Sequence, residues 1–220
     1  MASYVTNLPV NGRFNVTAAF GQAGNYWKDG HKGVDMTAAA KTLYAICDGV
    51  VTVVGWDPKG WGRYVSIQPN GFERIRLITC HMVENSVKVK KGDVVSRLSV
   101  LGTMGKSGNS TGVHVHIEMR IDNRPVNPTP YLLIANERAV GLLSANYKFD
   151  ASCQRMALAA IQDAFDKNAA LPDIGAVCGG TGAGGNCGAE VERLGRELAE
   201  VRSQLAAAEA KIADAKAALQ

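Results

Sequence analysis

Short β-branched runs, broken by glycine-bearing turns about every ten residues, fill the chain from about Leu8 to Leu133. Gly49-Val-Val-Thr-Val-Val-Gly55, Arg63-Tyr-Val-Ser-Ile67, Val87-Lys-Val-Lys-Lys91 and Val113-His-Val-His-Ile117 read as strand-like. Pro58-Lys-Gly60, Pro69-Asn-Gly71, Lys91-Gly-Asp93 and Gly108-Asn-Ser-Thr-Gly112 supply turn chemistry between them. The pattern predicts a mainly β domain of antiparallel sheet over residues 1–135. A hydrophobic content of 46% with 20% charged residues places the chain among globular proteins and excludes wholesale disorder. No apolar run approaches the length of a transmembrane helix, so no membrane association is expected.

Two changes of composition follow. Over about Ala151–Leu171 the apolar residues Cys153, Met156, Ala157, Ala160, Ile161 and Phe165 recur at helical spacing, with Pro172 at the expected end. Residues 136–176 are therefore expected to form a helical extension. Residues 177–188, rich in glycine and bracketed by Cys178 and Cys187, read as a linker, and the two cysteines could pair if oxidised. In residues 189–220, Val191, Leu194, Leu198, Val201, Leu205, Ala208, Ile212, Ala215 and Leu219 alternate by three and four. That seam predicts a coiled-coil helix, through which the chain would self-associate or take a partner helix.

Five of the 24 basic and six of the 20 acidic residues fall from Gly188 onward, so the body before it is net +5 and the tail −1. A mildly basic body suits an anionic polymer but lacks the basic stripe of a nucleic-acid binder, and none is expected as a partner. The five cysteines show no CxxC, which excludes a cysteine zinc site and favours buried free thiols. The N-terminus has neither a basic n-region nor an apolar h-region, so no signal peptide is expected.

The four histidines carry the chemistry: His31 in His31-Lys-Gly-Val-Asp35, His81 in Leu77-Ile-Thr-Cys-His-Met82, and His114 and His116 in Gly112-Val-His-Val-His-Ile-Glu118. In a strand, residues two apart share a face, so His114 and His116 point together while Val113, Val115 and Ile117 face the core. Gly33 and Val34 make the segment of His31 and Asp35 extended as well, and its even separation again puts both on one side. Imidazole and carboxylate are a ligand set suited to zinc, and a catalytic zinc needs three protein ligands and an open position. Spacing alone leaves open which of the five residues are ligands and which shuttle protons. Cys80, beside His81, is expected to face away from it as a packed thiol. The loop Gly21–Gly30 is a candidate wall of a substrate groove.

Four blocks together resemble the lysostaphin-type zinc endopeptidases, which cut the peptide part of bacterial peptidoglycan. His31-Lys-Gly-Val-Asp35 is similar to the family's His-x-Gly-x-Asp motif. Cys47–Trp56 with Gly62–Ile67 resembles its central hairpin, and Val87–Val95 the stretch before its glycine-rich turn. Gly105-Lys-Ser-Gly-Asn-Ser-Thr-Gly-Val-His-Val-His-Ile-Glu118 resembles its long signature, and Arg124-Pro-Val-Asn-Pro128 the strand exit. Cys80, Met82 and Val113 depart mildly from the pattern.

Carried over, the resemblance implies that His31, Asp35 and His116 hold one Zn2+ per chain. It makes His114 the general base and His81 a second catalytic histidine polarising the attacking water or the developing oxyanion. The implied activity is zinc-dependent hydrolysis of peptide cross-links in peptidoglycan. The alternatives are a non-catalytic wall-binding or activator member, or a phage tail protein with a local wall-degrading domain. Family members encoded by a host usually carry an export signal. Its absence leads to the expectation of a phage lysin, made in the cytoplasm and brought to the cell wall by phage release or on the virion.

Overall fold

The structure, a computed structural model, describes residues 8–11, 14–24, 27–132, 140–141 and 151–172, with backbone alone for 140–141 and 151–153. The glycine-rich linker with Cys178 and Cys187, and the heptad segment 189–220, lie outside the described residues.

The strands are β1 (Phe14–Ala18), β2 (Val34–Ala38), β3 (Thr42–Tyr44), β4 (Gly49–Asp57), β5 (Gly62–Pro69), β6 (Ile75–Met82), β7 (Val94–Val95), β8 (Val100–Thr103), β9 (Val115–Ile121), β10 (Arg124–Val126) and β11 (Val140–Gly141), followed by the helix α1 (Ala151–Asp166). Among the described residues, nine strands form one antiparallel sheet in the order β11-β1-β2-β9-β6-β5-β4-β7, with β10 folded back on β9. The remaining pair, β3 with β8, is a separate two-stranded sheet. The mainly β, antiparallel expectation holds.

Alternation along the central strands explains both core and site. On β9, Val115, Ile117, Met119 and Ile121 face a continuous apolar core, while His116 and Glu118 face the other way and are buried too. On β2, Val34, Met36 and Ala38 join that core and leave Asp35 on the opposite face. The core is closed by Leu43 and Leu101 from the small sheet and by Ala157, Leu158 and Ile161 from α1. Each such large side chain, fully withdrawn from water, stabilises the fold by about 1.5–3 kcal/mol.

Three sequence expectations are corrected. Val87–Lys91 is not a strand: it runs beside β8 with one backbone hydrogen bond, from the Lys88 N–H to the Leu101 carbonyl at 2.9 Å, so its alternation never becomes a ladder. Val113 is 47% exposed rather than in the core, because β9 begins only at Val115 and Val113 still belongs to the turn closed by the Gly105–His114 bridge. Helix α1 ends at Asp166, not near Leu171. Asn168 takes a left-handed φ of 50°, and the Ala169 N–H reaches back to the Ala164 carbonyl at 2.9 Å while the Asn168 N–H bonds the Phe165 carbonyl at 3.1 Å. That pair of bonds is a Schellman stop, which closes the helix before Pro172 is reached. None of the described helices is long and apolar enough to cross a membrane.

Candidate metal centre

Register delivers the first pair of site residues. β2 and β9 pair antiparallel with Asp35 directly opposite His116, so carboxylate and imidazole share one face of adjacent strands. His31 lies just before β2, where Gly33 permits the chain to press against β9. A Cβ at residue 33 would stand 2.2 Å from the Ile117 carbonyl oxygen and 2.8 Å from the His116 ring, so any larger residue would push the lead-in away. The result is a triangle: His116 Nδ1 to Asp35 Oδ1 is 2.7 Å, His31 Nε2 to His116 Nδ1 is 3.0 Å, and His31 Nε2 to Asp35 Oδ1 is 3.2 Å. All three residues are buried.

The protons in this triangle follow from its outer partners. His31 Nδ1 sits 2.9 Å from the Ala19 carbonyl, which can only accept, so the proton is on Nδ1 and Nε2 presents a lone pair. His116 Nε2 sits 3.1 Å from Glu118 Oε1, which makes it the donor and leaves a lone pair on Nδ1. Two nitrogen lone pairs and a carboxylate oxygen therefore converge with no hydrogen to share. Such a set of donors suits a cation at its centre. Tetrahedral zinc with bonds of about 2.0 Å would spread its donors to roughly 3.3 Å, slightly wider than these edges, and two imidazoles with one carboxylate are a zinc-type donor set. The residues present fit a metal ion.

Without a metal, a proton must serve instead. Burial opposes charge on His116, but the carboxylates of Asp35 and Glu118 on its two ring nitrogens outweigh this and push its pKa up to about 9. Burial likewise raises Asp35, yet hydrogen bonds from His116 and His31 hold it well below the usual carboxylate range.

His81 and His114 complete the ring of imidazoles. His81 owes its place to a β-bulge. Met82 faces Arg63 and Thr79 faces Val65, so Cys80 and His81 together oppose one residue of β5. His81 takes a φ of 61°, rare for a residue with a side chain, and its N–H bonds the Trp61 carbonyl at 2.8 Å. Bulges re-aim side chains beside active sites, and this one turns His81 into the cleft. Its Nδ1–H donates to the Ser107 carbonyl at 2.8 Å. Burial first, and then the neighbouring His114 and His116, lower its pKa to about 4, so it is neutral at neutral pH.

His114 donates Nδ1–H to the Gly112 carbonyl at 2.9 Å, and its Nε2 lies 3.6 Å from Asp35 Oδ2. The rings of His81 and His114 are 4.7 Å apart, centre to centre. Both thus turn Nε2 towards the same space. All five residues singled out from sequence line one cleft of about 450 Å3.

Cys80 is a buried thiol, as expected, and burial raises its pKa well above the ordinary value. From the loop before His31, Trp27 stands in the cleft wall with its ring 4.5 Å from that of His31.

Two residues of the site went unassigned in the sequence. Glu118 is buried and accepts from His116, from Trp61 Nε1 at 2.8 Å and from Arg120 Nε at 2.6 Å. Burial alone would raise its pKa, but these bonds hold it below the ordinary glutamate value. Parity could have found it, since it shares a strand face with His116. Trp61, in the β4–β5 turn, carries no such signal.

Comparison with known proteins accords with this geometry. Residues 29–128 match the family described as Peptidase family M23. An uncharacterized metalloprotease of Haemophilus influenzae is 37% identical over 99 residues, 44% of this chain and 20% of that protein. The peptidoglycan DD-endopeptidase ShyA of Vibrio cholerae is 37% identical over 98 residues, 44% of this chain and 22% of that protein. The glycyl-glycine endopeptidase ALE-1 of Staphylococcus capitis is 30% identical over 122 residues, 53% of this chain and 33% of that protein. The chain thus spans a third or less of the length of these relatives. The catalytic domain of lysostaphin from Staphylococcus simulans shares the fold, with a TM-score of 0.50 at 24% identity over 55% of this chain and 92% of that one.

Proposed function

We propose, from the premise that residues 29–128 are a Peptidase M23 domain, that the chain is a zinc-dependent endopeptidase hydrolysing peptide bonds of bacterial peptidoglycan. The observation that carries this reading is the convergence of the ligand atoms of His31, Asp35 and His116, all within 4.8 Å of one another, beside two further imidazoles, His81 and His114, in the same cleft. The name of ShyA, a peptidoglycan DD-endopeptidase, supports peptidoglycan as the substrate class, and that of ALE-1, a glycyl-glycine endopeptidase, supports peptide-bond cleavage.

His31, Asp35 and His116 would hold one zinc ion per chain. Zinc, when bound, supplies a Lewis acid that acidifies water towards neutral pH and polarises an amide carbonyl. The rest is the work of the chain. His114, with Nδ1–H pinned to the Gly112 carbonyl, offers Nε2 as the proton acceptor beside Asp35 and returns that proton to the leaving amine. His81, pinned through Nδ1–H to the Ser107 carbonyl, accepts a hydrogen bond at Nε2 and so aligns the attacking water. Water adds directly to the carbonyl, and no acyl-enzyme forms. Both histidines are held by backbone carbonyls, so their lone pairs face the cleft before substrate arrives.

A non-catalytic wall binder would not need two oriented bases beside a metal triad. The test is mass spectrometry of fragments released from purified cell walls, with and without 1,10-phenanthroline. New amino termini from peptide cleavage that vanish with chelator support the reading, and unchanged release in chelator refutes it.

A further inference from the structure

We infer that Trp61 is a positioning residue for the metal centre, acting through Glu118 on His116; the inference rests on the zinc-peptidase reading above. The Trp61 indole N–H donates to Glu118 Oε1 at 2.8 Å, and that same oxygen accepts the Nε2–H of His116 at 3.1 Å. An indole N–H can only donate, so Oε1 must remain an acceptor towards both partners. That keeps the His116 proton on Nε2 and its lone pair on Nδ1, the atom that faces His31 and Asp35. Glu118 has no freedom to turn away, because Arg120 Nε takes its other oxygen at 2.6 Å.

Trp61 is itself held on every side. The Arg120 guanidinium lies over its ring at 5.0 Å, Tyr64 packs against the ring at 5.0 Å, and its backbone N–H donates to Asp57 Oδ2 at 3.2 Å. The Trp61 carbonyl also receives the His81 N–H at 2.8 Å. One turn residue, remote in sequence from every ligand, therefore touches the supports of both a metal-binding and a water-aligning imidazole. Partners that orient a ligating imidazole in this way typically change metal affinity by 10–100-fold when removed.

Trp61→Phe keeps an aromatic ring for Arg120 and Tyr64 and deletes the donor. Zinc affinity is read by competition with a chromophoric chelator, the cobalt-substituted protein by its visible absorption, and the fold by thermal melting. The variant is expected to bind zinc about 10–100-fold more weakly, to show an altered cobalt spectrum, and to lose kcat with KM little changed. In a Glu118→Ala background the same substitution is expected to weaken zinc binding no further, because the shared path is already cut. Should Trp61→Phe fail to fold, a tryptophan analogue with sulfur in place of the ring N–H makes the same deletion at constant shape. Unchanged zinc affinity and an unchanged cobalt spectrum overturn the inference, and so does a rise in KM alone, which would make Trp61 a substrate contact. A wild-type chain that neither binds zinc nor cuts cell wall instead overturns the reading on which the inference rests.

Discussion

Burying an aspartate between two imidazoles whose other nitrogens are already committed creates a demand for positive charge, which a proton on His116 or a cation in the triangle meets. The demand separates two classes of residue by outcome. His31→Ala, Asp35→Ala and His116→Ala are each expected to lose bound zinc and wall lysis together, measured by atomic emission on the purified protein and by turbidity of a wall suspension. His81→Ala and His114→Ala remove no corner of the triangle. They are expected to keep near-stoichiometric zinc while turnover falls by about 10²–10⁴-fold, the usual worth of a placed acid–base group. Loss of zinc from either of these would reassign it as a ligand. Four of these side chains, His31, Asp35, His114 and His116, were legible in the sequence because strand parity and the two motifs point to them, whereas His81 was reached only through the scarcity of histidines and the family resemblance. Glu118 shares that parity and could have been read. Trp61 could not, since its role depends on where the β4–β5 turn lands, and that is settled by packing rather than by spacing.

At the scale of elements, the site is set by three strands and two tight backbone approaches, Gly33 against β9 and Gly62 against Ser107. β2, β9 and β6 lie side by side and bring Asp35, His116 and His81 to one face. The bulge that re-aims His81 left no trace in the sequence, because Cys80 and His81 read as ordinary strand residues until their partner on β5 is known. The turn at Gly62 controls the same region. Gly62 has a φ of 64°, and a Cβ there would sit 2.3 Å from the Ser107 carbonyl oxygen, the atom that receives the His81 Nδ1–H. Gly62→Ala is therefore expected to cost about 1–3 kcal/mol through backbone strain, seen as a lowered melting temperature, and to reduce turnover by displacing Ser107. An unchanged melting temperature would show that the two loops yield to each other cheaply.

For the molecule as a whole, the helix after the β domain is part of the same core. The buried side of α1 includes Ala157 and Ile161, as the periodicity predicted, but is rotated towards Leu158 and leaves Met156 and Ala160 half-buried at its edge. Helical periodicity locates an apolar stripe only to within its width, and the sheet beneath selects the centre. Charged contacts fasten the far end: Arg74 bonds both Asp122 and Asp166, with Nη1 to Asp166 Oδ2 at 2.9 Å, and the Arg124 guanidinium lies 4.5 Å over the Phe165 ring. Exposed pairs of this kind add little, so the apolar contacts are what the helix contributes. Leu158→Ala is expected to cost about 2–5 kcal/mol in a thermal or urea melt, whereas the exposed Lys167→Ala should change stability little. Equal effects from the two would show that α1 is not integral to the core.

The most direct test of the central claim is a zinc titration of metal-stripped protein, following peptide fragments released from purified cell wall. The account predicts that cleavage rises linearly with added zinc and breaks sharply at one ion per chain, with no break in His116→Ala. Full cleavage in the stripped protein, with chelator present throughout, would contradict it.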